Sequence, residues 1–362
     1  MSMDSPQYDA IVVGAGFGGM GAAIQLKKMG YDNLLIVDRE DDLGGTWHVN
    51  HYPGLAVDIP SPTYSYWFEP NPRWSRLYAP GSELKEYADH VADKYDVRRH
   101  MRFNAPVDGA RWDEENELWQ VTLSDGETLT SRFLVTATGY LSQPRNPDIP
   151  GIDDFAGRIL HSMDWDDDYN PAGERIGLIG TGATAVQLIP ELSKTAADLT
   201  VYQRTPIHVV PKMDFAIPPV VRRLFARVPL LQRLFRFTTD ANLEVMMILS
   251  VINYKYFRQL NVFASYLSQW HRFMSIRDKS LRKKLTPDYD FGCKRPTYSN
   301  SYYKTLAKPH VHLQTAGIER VVSDGIVACD GTKTPIDTLV LCTGFDIWEA
   351  NIPAIELIGR DA

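Results

Sequence analysis

Two glycine clusters, each followed at the same distance by a side chain of opposite charge, carry the clearest chemistry in this sequence. Gly14, Gly16 and Gly19 form G-x-G-x-x-G, and Asp38 follows Gly14 by 24 positions. Gly180, Gly182 and Ala185 form G-x-G-x-x-A around Thr181, and Arg204 follows Gly180 by the same 24 positions, with Thr205 beside it. In such a cluster the first small residue permits a tight turn, the second lets backbone approach a pyrophosphate, and the third lets helix and strand pack closely. The free N–H groups and dipole of the helix then face the phosphates. A carboxylate at the end of the next strand accepts hydrogen bonds from a ribose 2′-hydroxyl. A guanidinium there accommodates a 2′-phosphate that an acid would repel. The first cluster therefore predicts FAD or NAD and the second NADP, with the Thr205 hydroxyl as an added donor.

The elements around each cluster suit this chemistry. YDAIVV predicts a strand before Gly14, an Ala-rich helix follows, and NLLIVD predicts the strand that ends at Asp38. RIGLIG, ATAVQLIPEL and LTVYQRTP repeat the order around Gly180. Another echo is SRFLVTATGY (131–140) against IDTLVLCTGF (336–345), which share L-V-x-x-T-G and an aromatic residue. Each reads as an apolar strand where the chain crosses between two domains, with Gly139 and Gly344 allowing positive φ or close backbone approach. The fold class expected is α/β: two Rossmann-like dinucleotide-binding domains with a helical insertion in the second. The boundaries expected are 1–147 with 332–362 for the first domain, 148–213 with 286–331 for the second, and 214–285 for the insertion.

The chain has 362 residues, a length that suits two or three domains. With 44% hydrophobic and 23% charged residues it has an ordinary globular composition. The net charge of −7 gives no global reason to bind nucleic acid. Cys293, Cys329 and Cys342 lie at wide, unrelated spacings, so neither a disulfide framework nor a metal site is expected. A reducing cytoplasm fits that usage. The polar, acidic start MSMDSPQYD lacks the regions of a signal peptide, and no apolar run is long enough for a spanning helix.

Between the two clusters lies FAGRILHSMDWDDD (155–168), which has no clean period and reads as a connector. Phe155, Gly157, His161, Trp165 and Asp166 in that stretch match F-x-G-x-x-x-H-x-x-x-W-[P/D], the fingerprint of the Baeyer–Villiger monooxygenases. GGTWHVNHYPG (44–54) is similar to the G-G-T-W…N-x-Y-P-G segment of the class B flavoprotein monooxygenases to which that family belongs. The resemblance covers essentially the whole chain. It implies FAD in the first domain and NADPH in the second. It also implies a reaction: NADPH reduces FAD, the reduced flavin takes up O2 to give a C4a-peroxyflavin, and one oxygen is inserted into a ketone to give an ester or lactone. The cofactors carry the hard chemistry, and the protein supplies position and charge.

Residue roles follow from the same resemblance. Arg295, in FGCKRPTYSNSYY (291–303), matches the active-site arginine that stabilises the anionic oxygenated flavin. Lys294 matches a residue that helps hold the NADP 2′-phosphate. Asp58 matches the acid that pairs with the catalytic arginine and adjusts its position. Gly45, Thr46, Trp47 and Tyr52 fall in the loop that lies along the flavin. Tyr64 matches a tyrosine near the cofactor, and Gln187 a polar residue at the NADP turn. Among the bland readings, Asp58 is a turn residue before Pro60, and Lys294 and Arg295 are solvated charges. In the fingerprint, His161 and Trp165 are expected to fix the linker rather than touch the ketone.

Two regions depart from the family pattern. VVRRLFARVPLLQRLFRF holds Arg222, Arg223, Arg227, Arg233 and Arg236 and no carboxylate, and MMILSVI (246–252) adds an apolar patch. The resemblance implies that such an insertion lines the entrance to the substrate site; the basic amphipathic pattern itself suits packing on its own domain or peripheral contact with anionic lipid through 219–252. The last of these would go with a lipophilic ketone. Family members also continue well past the second T-G-F segment, whereas this sequence ends 18 positions after Gly344. The expectation is a chain without the last strand of the FAD domain, with weak FAD retention and little oxygenation. Two other readings stay open: a monooxygenase acting on sulfides or amines, and a nucleotide-binding remnant without turnover. A disulfide reductase would need a C-x-x-C-like pair, and no such pair exists in the sequence.

Overall fold

The structure, a computed structural model, describes residues 5–253, 255–346 and 355–360. The chain divides into two compact units, residues 1–50 with 81–145 and 345–362, and residues 51–80 with 146–344.

The first unit is built on a sheet of seven strands among the described residues. Their order is Glu356–Ile358, Val107–Asp113, Leu118–Leu123, Thr128–Thr136, Tyr8–Val13, Leu34–Val37 and Met101–Arg102. Tyr8–Val13 runs parallel to both its neighbours, Thr128–Thr136 and Leu34–Val37. Leu34–Val37 is buried along its whole length, as a strand covered on both faces must be. Ile11, Val13, Leu35, Val37, Val121 and Leu123 belong to one apolar cluster of this unit.

In the second unit five strands pair in parallel, in the order Val311–Gln314, Asp198–Tyr202, Arg175–Ile179, Thr338–Leu341, Arg158–His161. A small antiparallel sheet, Ile318–Val322 with Gly325–Ala328 and Lys333–Pro335, packs its Val321 and Ile326 with Leu339 and Leu341 of the main sheet. Val209–Val210 pairs with Thr297–Tyr298 in a separate parallel pair. The insertion expected at 214–285 is helical: Pro219–Arg227, Pro229–Met247, a π-helical turn Ile248–Ile252, Arg258–Ser275 and Lys279–Lys284.

Three expectations change. Residues 51–80, expected with the first domain, group with the second unit, where Gln187 of the helix Ala183–Leu192 binds both backbone and side-chain groups of the 52–56 segment. Residues 332–344 also group with the second unit, because Thr338–Leu341, wholly buried, lies between two strands of that sheet. The fingerprint stretch is more than a connector: Arg158–His161 is the edge strand of the five-stranded sheet. Its glycine has a steric reason, since a Cβ on Gly157 would meet the Asp337 carbonyl oxygen at 2.3 Å and the Phe155 ring at 2.6 Å.

Candidate active site

Both glycine turns have the geometry their spacing implies. Gly14 has φ +110° and Gly180 φ +124°, and a Cβ on either would lie 2.4 Å or 2.2 Å from a carbonyl oxygen, of Ala137 and Cys342 respectively. A Cβ on Gly19 would fall on the Gly14 carbonyl oxygen, so helix and turn close only around glycine. Gly16 and Gly182 are the N-caps of Phe17–Lys28 and Ala183–Leu192. Neither helix has a side-chain cap or an acid in its first turn. Each therefore presents uncapped N–H groups and the positive end of its dipole, which is what a pyrophosphate requires. In the first unit the cradle has a second wall: Gly45, at φ +55°, approaches Gly16 so closely that its Cβ would be 3.0 Å from the Gly16 Cα. Thr46 opens the short helix Thr46–Val49, with the half-buried Trp47 next in line. These residues fit a dinucleotide in each unit.

The two discriminating side chains sit one and two residues past their strands. The Asp38 carboxylate accepts the Ala15 N–H at 2.5 Å and the Glu40 N–H at 3.0 Å. It thus binds the glycine turn itself and keeps acceptor capacity on both oxygens. Arg204 is exposed and has no ion-pair or hydrogen-bond partner among the described residues. Near it, the Thr181 hydroxyl donates to the Thr205 carbonyl at 3.1 Å, tying the turn to the Arg204 segment.

Residues 237 positions apart meet in the second unit: Arg295 Nη2 lies 2.5 Å from Asp58 Oδ2. With the arginine side chain 68% and the aspartate 36% exposed, the pair contributes about 0–1 kcal/mol to stability, too little to explain it as a fold-holding contact. The Lys294 ammonium stands 4.9 Å from the centroid of the Tyr289 ring. Tyr64 ends the short helix Ser61–Tyr64 and is half-buried.

Two of the expected site residues have protein partners of their own. Tyr52, expected along the flavin, is buried in the core of the second unit, and its hydroxyl donates to Gln187 Oε1 at 3.1 Å. Burial raises its phenol pKa. Gln187, expected at the NADP turn, gives its amide N–H to the Ala56 carbonyl at 2.9 Å. Both are thus engaged in fixing the 52–56 segment, close in sequence to Asp58. In the fingerprint, Phe155 and Trp165 are buried core residues and Asp166 pairs with Arg158 at 2.7 Å. His161 Nδ1 accepts the Met163 N–H at 3.1 Å, and burial lowers its pKa.

Sequence reasoning did not single out Tyr78, Lys212 and Tyr298, each of which feels the charge of Asp58, nor Asp214, which binds the Tyr78 N–H. Burial raises the pKa of both tyrosines, and Asp58 acts on both in the same direction. Tyr298 lies in the FGCKRPTYSNSYY segment, but Tyr78, Lys212 and Asp214 lie in no motif, so only the fold could assemble the group. No group of His, Cys, Asp and Glu residues able to hold a metal occurs among the described residues.

Comparison with known proteins places this geometry. Residues 11–230 match the family model described as pyridine nucleotide-disulphide oxidoreductase. The sequence given has no C-x-x-C pair. A Baeyer-Villiger monooxygenase of Streptomyces coelicolor is 40% identical over 97% of this chain and 66% of its own length. One of Pseudomonas aeruginosa is 38% identical over the same shares. This chain thus spans just under two thirds of the length of those relatives. Among solved structures, OTEMO in complex with FAD and NADP aligns with a TM-score of 0.84 at 31% identity, covering 99% of this chain and 75% of that one. The open form of cyclohexanone monooxygenase aligns with a TM-score of 0.85 at 29% identity, over 99% and 77%. Two uncapped glycine turns, the fingerprint strand and this likeness along nearly the whole chain lead to one assignment: the chain belongs to the Baeyer–Villiger monooxygenase family of flavoproteins.

Proposed function

We propose that this protein takes part in FAD- and NADPH-dependent Baeyer–Villiger oxidation, the insertion of one oxygen of O2 into a ketone to give an ester or lactone. The observation that carries the reading is the Asp58–Arg295 pair, assembled from distant sequence and of little use to stability. Bound FAD, reduced by NADPH, supplies the oxygen-activating chemistry. The chain's residues supply position and charge. Gly14, Gly16, Gly19, Gly45 and Thr46 form the cradle for FAD, with Asp38 for its ribose. Thr181, Gly182 and Ala185 receive the NADP pyrophosphate, and Arg204, Thr205 and Lys294 its 2′-phosphate. Arg295 is a permanent cation, which stabilises a developing anion more dependably than an amine that can lose its proton. Asp58 holds that cation by Nη2 and sets where it stands.

The test uses the flavin-loaded enzyme under anaerobic and then aerobic conditions. NADPH is expected to bleach the yellow flavin band in both wild type and Arg295→Ala. On admission of O2 and a ketone, ester is expected from wild type, with about 100-fold less from Arg295→Ala, the loss typical of one electrostatic stabiliser. Ester formation retained in Arg295→Ala would remove Arg295 from the mechanism. Sulfoxide or N-oxide as the only product would replace ketones by heteroatom substrates.

The insertion supports a peripheral contact with an anionic lipid surface, and with it a lipophilic ketone. Residues 215–239 contain five arginines and no acid, and Val220, Leu224, Leu230, Leu234 and Phe237 are exposed beside them. Among the described residues no helix is long and apolar enough to cross a membrane.

A further inference from the structure

Lys212 stands at a crossing in the second unit. It follows the short strand Val209–Val210, whose partner Thr297–Tyr298 begins two residues after Arg295. The Asn300 side chain clamps its backbone from both sides: the Lys212 N–H donates to Asn300 Oδ1 at 3.0 Å, and Asn300 Nδ2 donates to the Lys212 carbonyl at 2.8 Å. Its main chain is thereby fastened to the segment that carries Arg295. Its ammonium reaches the other way, donating to the Val57 carbonyl at 3.2 Å over the face of the Tyr78 ring, 4.8 Å from the centroid. Val57 is buried, with its N–H on the Ala79 carbonyl at 3.1 Å, and the next residue is Asp58. A closed loop of contacts results: Asp58 to Arg295, along the chain to Asn300, across to Lys212, and back through Val57 to Asp58.

We infer that Lys212 is a positioning residue, which sets the Asp58–Arg295 pair by tying the backbone before Asp58 to the segment bearing Arg295. This rests on the reading of that pair as catalytic. Packing alone does not explain the choice of residue. Taking an ammonium out of water is costly, and an apolar side chain of similar length would fill the same space without that cost. Here burial pushes the Lys212 pKa down, with Arg76 adding to the effect, while Asp214 and Asp58 oppose it. What an apolar replacement would not supply is the hydrogen bond to Val57. Asp214 itself is engaged elsewhere, with Arg76 at 2.8 Å and the Tyr78 N–H at 3.2 Å. The Val57 carbonyl is therefore the partner by which the ammonium bears on the pair.

The test compares Lys212→Met, Lys212→Arg and Lys212→Gln with wild type and Arg295→Ala. The first readout needs no turnover: phenylglyoxal labelling of Arg295, followed by peptide mass spectrometry. Lys212→Met is expected to label Arg295 several-fold faster, because the pair is no longer held. In the flavin-loaded enzyme the fraction of NADPH oxidation that ends in ester is expected to fall about 10-fold or more, with the balance appearing as hydrogen peroxide and the KM for NADPH within about twofold of wild type. Lys212→Arg, which keeps a cationic donor, is expected to restore both. Wild-type labelling and product partition in Lys212→Met would overturn the proposal. Should that variant not fold, the same wild-type result in Lys212→Gln would overturn it. Ester formation retained in Arg295→Ala would instead defeat the catalytic reading of the pair, while the labelling arm would still report whether Lys212 holds it.

Discussion

We propose that Arg204 decides between the two nicotinamide cofactors. It lies two residues past its strand, exposed and without a partner among the described residues, so its whole charge is available to a ligand. A charge-assisted hydrogen bond contributes about 1.5–3 kcal/mol, or roughly 10- to 100-fold in affinity. Arg204→Ala is expected to weaken NADP+ binding by that factor and to leave NAD+ within about twofold, as read by titration calorimetry. Equal losses for both would take the 2′-phosphate role away from Arg204. This residue was legible in the sequence because its spacing from Gly180 repeats that of Asp38 from Gly14. Lys212 was not. A lone lysine after a proline has no spacing to betray it, and its meaning comes from Val57 and Asn300, 155 and 88 positions away.

At the scale of elements, the strands of both sheets were legible where apolar runs were long and buried on two faces. The strand Arg158–His161 was not, because it has four residues at a sheet edge and only Leu160 is fully buried. What holds this end of the second sheet is partly electrostatic. Asp337, just before Thr338–Leu341, accepts two hydrogen bonds from the Arg175 guanidinium and one from the Arg175 N–H, at the start of Arg175–Ile179. These bonds, the side-chain ones first, lower the Asp337 pKa from 3.8 to about 2. A carboxyl whose pKa is depressed by folding contributes stability that is fully present above its unfolded value and is lost as pH falls through its folded one. The window here runs from about 4 down to about 2. Both side chains are more than a third exposed, so solvent screening limits the contribution to about 1 kcal/mol or less. Asp337→Asn is expected to be less stable to urea by that amount at neutral pH. The deficit should shrink as pH is lowered through the window. A deficit independent of pH would mean that the ion pair contributes nothing and that the change acts through packing.

At the scale of the whole molecule, the two-unit plan was legible from the repeated glycine clusters, but the allocation of 51–80 and 332–344 was not. Adjacency in sequence placed those segments with the first unit. Hydrogen bonds from Gln187 and burial of Thr338–Leu341 place them in the second. The helical insertion poses the remaining question of partner. The chain as a whole carries a net charge of −7, so a general attraction to anionic surfaces is not expected. Residues 215–239 reverse that sign locally, and Arg223, Arg227 and Arg233 are exposed on the two helices that also expose Leu224, Leu230, Leu234 and Phe237. Arg236 is otherwise occupied, donating to the Tyr66 carbonyl at 2.9 Å and to Asp240 at 3.2 Å, so it anchors the helix to its own unit. Three free cations near a lipid surface are worth about 1 kcal/mol each, and buried apolar side chains add to that. The protein is expected to float with vesicles containing phosphatidylserine and not with phosphatidylcholine alone. Replacing Arg223, Arg227 and Arg233 by Glu should abolish flotation. Salt should weaken wild-type binding, since at physiological ionic strength the attraction is largely screened beyond about 8 Å and added salt shortens that range. Replacing Leu230, Leu234 and Phe237 by Ser should weaken binding at every salt concentration. Flotation with neither vesicle type would leave this face to a protein surface. Equal flotation with both would assign it to apolar burial alone, with no part for the arginines.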